Sequence, residues 1–144
     1  MRISGEWHLY DDGVVRPIVR GEILTGAGLW QAAEFLVDTG ADRTVFSAPV
    51  LRVLGLQAVA SPHHLSGVGG MADAVFVETR IRLSREGDGK VTFRGRYAAV
   101  TEFEALDICV LGRDITRLFA VIVDRPSEMI CLLREGHQYT ISQR

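Results

Sequence analysis

Glu34-Phe35-Leu36-Val37-Asp38-Thr39-Gly40-Ala41-Asp42-Arg43-Thr44-Val45 is the stretch that decides how this chain is read. An apolar strand, Phe35 to Val37, runs straight into an acid, then a glycine, a second small residue, Thr44 and Val45. A carboxylate at the end of such a strand is a structural liability, because burying it without partners costs several kcal/mol. Gly40 frees the backbone to turn tightly and leaves room for a ligand or another chain to approach. The bland reading is a strand-end turn in which Asp38 bonds a nearby amide. Asp38-Thr39-Gly40 alone discriminates little, since its residues are common ones. The rest of the chain supplies the context.

Outward from this stretch, 15 glycines punctuate short runs rich in Val, Ile, Leu, Phe and Thr. That pattern predicts an all-β domain with tight turns. The expected strands are Arg16 to Leu24, Gln31 to Val37, Ala74 to Leu83, Lys90 to Val100, Ile108 to Leu111, Ala120 to Asp124 and Met129 to Leu133. Hairpin turns are expected at Thr25-Gly26-Ala27-Gly28, at Glu86-Gly87-Asp88-Gly89 and at Arg125-Pro126-Ser127-Glu128. Helix is scarce. Ser47 is placed to cap a short helix that holds Pro49 in its first positions, reaches about Leu54 and stops at Gly55. Asp114 is placed to cap a second, Ile115 to Phe119. Without repeats, linkers or low-complexity tracts, the 144 residues read as a single domain spanning 1–144.

Two downstream segments share the character of the first. Leu65-Ser66-Gly67-Val68-Gly69-Gly70-Met71 is a glycine-rich tip suited to changing conformation and to lying against a peptide backbone. Asp107-Ile108-Cys109-Val110-Leu111-Gly112-Arg113-Asp114 runs from an apolar strand through glycine and arginine into the second expected helix.

In this order the three segments resemble the retropepsin-like aspartic proteases, of the single-domain cellular or bacterial kind. Phe35 to Val45 resembles their active-site loop without a gap, Gly67 to Gly70 their flap tip, and Leu111-Gly112-Arg113-Asp114 the segment that supports the loop. Arg16-Pro17-Ile18-Val19 resembles the strand of the hairpin that feeds the active site. The resemblance implies a single-lobe closed β-barrel with one or two short helices, active as a two-fold homodimer. It implies Asp38, Thr39 and Gly40 as catalytic residues, with Ala41, Asp42, Gly67, Val68, Gly69 and Gly70 at the substrate. Leu111, Gly112, Arg113 and Asp114 would be structural support, Gly112 passing beneath the loop and Arg113 pairing with Asp42. The hairpin at about 120–134 would build the dimer sheet, followed by a polar tail, 135–144.

Such enzymes need two carboxylates a few ångströms apart that share one proton, so that one acts as base and the other as acid. One Asp-Thr-Gly in 144 residues means that the second Asp38 comes from an identical subunit across a two-fold axis. Ala41 stands where pepsin-like enzymes carry serine, which removes a donor to the carboxylate, so activity at mildly acidic pH is expected. The expected reaction is hydrolysis of peptide bonds in a peptide or protein. A rival from another class is a silent dimer of the same fold that binds peptides or acts as a scaffold. A third is an unrelated β domain in which the motif is fortuitous.

Composition narrows the remaining classes. Net charge is -2, so no basic excess points to nucleic acid or an anionic membrane. The longest uncharged apolar run, Leu118 to Val123, is far too short to cross a bilayer, and the N-terminal residues lack the apolar core of a secretory signal. A cytoplasmic protein without membrane contact is the expectation. Cys109 and Cys131 lie in apolar strands and read as buried free thiols, although oxidising surroundings would permit a disulfide. His63 and His64 are adjacent and point to opposite faces of a strand, while His8 and His137 lack ligand spacing, so no metal or cofactor is expected. Trp7 and Trp30 read as fillers of core edges.

Overall fold

The computed structural model describes residues 1–60, 65–67, 70–135 and 142. Its strands are β1 (Arg2–Ser4), β2 (Glu6–Leu9), β3 (Val15–Leu24), β4 (Trp30–Val37), β5 (Val45–Phe46), β6 (Val59–Ala60), β7 (Leu65–Gly67), β8 (Gly70–Ala72), β9 (Ala74–Ser84), β10 (Lys90–Val100), β11 (Cys109–Leu111), β12 (Ala120–Asp124) and β13 (Met129–Leu133). Two short helices, α1 (Ala48–Leu54) and α2 (Arg113–Thr116), complete the described elements. All seven strands expected from the sequence are present, with ends that agree to within a residue.

Pairing runs β3-β4-β11-β5-β10-β9, and β9 returns to β3, so six strands close into a barrel. Closure occurs at Gly21, which faces Ala33 of β4 on one side and Leu83 of β9 on the other. A Cβ there would sit 2.6 Å from Leu83 Cδ2 and 3.0 Å from the Arg82 carbonyl oxygen. Only glycine allows the strands to approach so closely. Alternate residues fill the interior: Ala33, Phe35 and Val37 from β4, and Val77, Ile81 and Leu83 from β9, are all buried. Phe46 is wholly buried between Phe35 and Tyr97, with ring centroids 6.4 and 5.6 Å away. Burying a side chain of this size contributes about 1.5–3 kcal/mol. A smaller cluster lies on the outer side of the same strands, where Val45, Ala98, Val100 and Val110 pack with Ala41, Phe76, Ala105 and Leu106.

Antiparallel pairing dominates, with two exceptions that shape the site. β11 runs parallel to β4, Cys109 to Leu111 opposite Phe35 to Val37, and β5 runs parallel to β10. Strands that run parallel end side by side, so Asp38 and Gly112 emerge at the same edge of the barrel. A separate sheet of order β1-β13-β12 joins the N-terminal strand to the C-terminal hairpin. The sequence reading missed β1, β2, β5 and β6, which have two to four residues each. Runs that short show too little alternation to be recognised.

Local details depart from expectation at both helices. Ser47 occupies the N-cap position of α1, Pro49 its first turn, and Gly55 ends it at φ 58°, yet the Ser47 side chain makes no capping bond. Its amide and hydroxyl lie 3.5 and 3.8 Å from Cys109 Sγ instead. Asp114 does not cap α2; Gly112 holds that position, because the Asp114 carboxylate is drawn to Thr44. The turn expected at Glu86-Gly87-Asp88-Gly89 lies within a loop, 85–89, closed by Arg85 N–H donating to the Gly89 carbonyl, with Gly87 and Gly89 at φ 90° and 89°. Cys109 and Cys131 are both free and buried, and burial pushes the Cys109 thiol up.

Candidate active site

Asp38 leaves the end of β4 half-buried, while Thr39, Gly40, Asp42 and Arg43 are exposed. Its N–H donates to the Leu111 carbonyl at 3.2 Å, which extends the parallel pairing one residue past the strand. The chain then folds back tightly. Ala41 N–H donates to the Asp38 carbonyl at 3.2 Å, and Gly40 N–H donates to Asp38 Oδ1 at 2.9 Å. The carboxylate is thus held by an amide of its own loop, with one oxygen occupied. A Cβ on Gly40 would stand 3.2 Å from that oxygen, so the small residue keeps the approach to the carboxylate open.

The second segment braces this loop from below. Arg113 N–H donates to the Ala41 carbonyl at 2.8 Å, and the Arg113 guanidinium donates to the Thr39 carbonyl at 2.8 Å and to Asp42. The Arg113–Asp42 pair that the resemblance implies is therefore formed. Gly112 lies against the Arg43 backbone so closely that any Cβ would overlap the Arg43 carbonyl. That contact explains a glycine between a buried strand and a helix.

Thr44 completes the brace, and the sequence reading gave it no role. It is fully buried. Its N–H and hydroxyl donate to the Asp114 carboxylate, the hydroxyl at 2.7 Å, and its Oγ1 accepts from Gly112 N–H at 3.1 Å. Its partner lies seventy residues away, where local pattern cannot reach.

Of the residues expected in a flap, Gly67 and Gly70 face each other across the β7–β8 pair, whose register also sets Leu65 opposite Ala72. Val68 and Gly69 lie outside the described residues, as do His63, His64 and His137. No helix among the described residues is long and apolar enough to cross a membrane.

A six-stranded barrel with an acid-bearing loop braced by a second strand and helix is the retropepsin-like aspartic protease fold. Solved structures of such proteases share it. The retropepsin-like aspartic protease from Rickettsia conorii superposes with a TM-score of 0.60 at 17% identity, covering 92% of this chain and 89% of that one. EIAV protease complexed with the inhibitor HBY-793 gives a TM-score of 0.53 at 22% identity, over 75% of this chain and 90% of that one. No curated protein matches the sequence. The model of the aspartyl protease family matches residues 19–115, from the middle of β3 into α2, and the chain belongs to that family.

Proposed function

We propose that the chain is an aspartic endopeptidase whose catalytic unit is a two-fold homodimer, with Asp38 of each subunit facing the other. The observation that carries this reading is the Asp38 loop itself, whose half-buried carboxylate is fixed on one oxygen by Gly40 N–H and braced from beneath by Gly112, Arg113 and Asp114. So many contacts around one exposed turn are what a preorganised reacting group needs.

In the dimer one carboxylate takes a proton from a water that attacks the scissile carbonyl, while its protonated partner polarises that carbonyl. The pair titrates as one unit. Thr39, exposed in the single chain, locks the two loops across the axis. Gly40, Ala41 and Asp42 line the cleft, and the hairpin carrying Gly67, Val68, Gly69 and Gly70 closes over the substrate backbone. The β12–β13 hairpin supplies the dimer sheet. Among the described strands β12 pairs only with β13. Its free edge carries Val121, Ile122 and Val123, an apolar edge suited to a second copy.

The test compares the wild-type chain with Asp38→Asn near pH 5, on a peptide library, after sedimentation has established the dimer in both. Cleavage should fall by at least about 10²-fold in the variant, the usual worth of a general base. Equal turnover would refute catalysis by Asp38, and a monomer that cleaves peptides would refute the shared site.

A further inference from the structure

The outward face of β9 and β10 carries a line of cations that the proposed mechanism does not use. Phe76, Glu78 and Arg80 alternate with buried residues along β9, and Arg94 and Arg96 alternate with half-buried Phe93 and Gly95 along β10, with Arg96 opposite Glu78 and Arg94 opposite Arg80. All three arginines are exposed. They line an open hollow of about 700 Å³, walled also by Leu24 and Leu56, in which Glu78 is the one acid. Phe76 links this hollow to the candidate active site. The Arg96 guanidinium carbon lies 5.3 Å from the centroid of its ring, and that of Arg43 lies 5.2 Å from the same ring. Arg43 belongs to the Asp38 loop, and Phe76 packs in one cluster with Ala41 and Val45.

Elsewhere in the molecule several arginines are neutralised by carboxylates. Arg16, Arg20, Arg82 and Arg113 pair with Asp12, Glu6, Glu22 and Asp42. Arg43, Arg80, Arg94 and Arg96 form no ion pair among the described residues. Three unpaired guanidinium groups around a single glutamate, with Arg43 beyond Phe76, concentrate positive charge in a chain whose net charge is -2. Their mutual repulsion is relieved when carboxylates enter between them.

We propose that this face binds an acidic segment of the substrate, Arg43 meeting the acid nearest the scissile bond, Arg96 the next, and the cross-strand neighbours Arg94 and Arg80 together one further along. The occupant, though not the charge, rests on the protease reading. An extended peptide sends alternate side chains to one face about 7 Å apart, the same repeat that separates Arg94 from Arg96, so acids at every second position meet successive arginines. A long polyanion is disfavoured by the negative charge of the rest of the molecule.

The experiment uses the full chain and two fluorogenic peptides that differ only in a run of Glu replaced by Gln on one side of the cleavage point, with a second pair carrying the run on the other side. For one pair, wild type should prefer the Glu peptide by about tenfold in kcat/KM at low salt. Removing Arg94 and Arg96 as R94Q/R96Q should cut that preference about twofold per arginine, within the scale of exposed ion pairs, through KM. R94K/R96K should retain most of it. In parallel, a labelled Glu-rich peptide is titrated by anisotropy into the Asp38→Asn protein, a readout that needs no catalysis; binding should weaken in R94Q/R96Q and in about 0.5 M salt. Equal binding of Glu and Gln peptides, binding indifferent to R94Q/R96Q, or tighter binding of a single-stranded oligonucleotide of matched charge would overturn the inference. If wild type cleaves none of the peptides, the protease reading fails, while the binding titration still decides this one.

Discussion

Replacing Asp114 by alanine probes the brace under the Asp38 loop, and its cost can be worked out from the contacts. The carboxylate accepts the Thr44 N–H at 3.0 and 2.9 Å and the Thr44 hydroxyl at 2.7 Å. Hydrogen bonds to a charged group contribute about 1.5–3 kcal/mol each, and a buried amide left without a partner costs about 1–3 kcal/mol. Thr44 is buried, but Asp114 is only half so, which lets water replace part of the loss. A net destabilisation of about 3 kcal/mol follows, or a fall in Tm of about 6–12 °C for a domain of this size. Urea unfolding followed by the fluorescence of Trp7 and Trp30 measures it. Thr44→Val removes the hydroxyl alone, so the double variant D114A/T44V should lose less than the sum of the single losses, by about 1 kcal/mol or more. A loss below about 1 kcal/mol in D114A, or strict additivity of the pair, would refute the brace.

Gly112→Ala drives a methyl into the Arg43 carbonyl and should cost about 3 kcal/mol or more, with peptide cleavage falling in the protein that stays folded; a Tm within a degree or so of wild type would mean that the strand and loop do not pack this closely. Glu22 is held down to about 2, from an ordinary 4.5, first by its hydrogen bonds to Arg82 and then by Lys90. Because the folded value lies below the ordinary one, this stabilisation is complete above about pH 4.5 and is lost as pH falls towards 2. Glu22→Gln should therefore melt below wild type at neutral pH, with the gap closing across that window; a constant gap would show that the pairing is not its source.

Much of the barrel could be read from the sequence because its long strands alternate regularly, as Val77, Thr79, Ile81 and Leu83 do against Phe76, Glu78, Arg80 and Arg82. The loop was legible for a different reason, since Phe35 to Val45 and Leu111 to Asp114 carry residue types at fixed offsets. What escaped was tertiary. Asp114 reads locally as a helix cap, and only the fold brings it to Thr44. Ser47 likewise turns from its own helix to Cys109. The β9–β10 arginines look like an ordinary solvated face until the hairpin register aligns them and Phe76 ties them to Arg43.

The brace beneath Asp38 also governs when the site can exist. The bonds that shape it join residues 68 to 74 positions apart, from Gly112–Thr44 to Arg113–Thr39. Such long-range closures are entropically expensive and slow to form. During synthesis, the loop leaves the ribosome well before β11 and α2, and until they arrive only the short-range bonds from Gly40 and Ala41 hold Asp38. A nascent or truncated chain should therefore carry the acid without its support. On the proposed function that delay is protective, because the cutting group would become competent only after the barrel that contains it has closed.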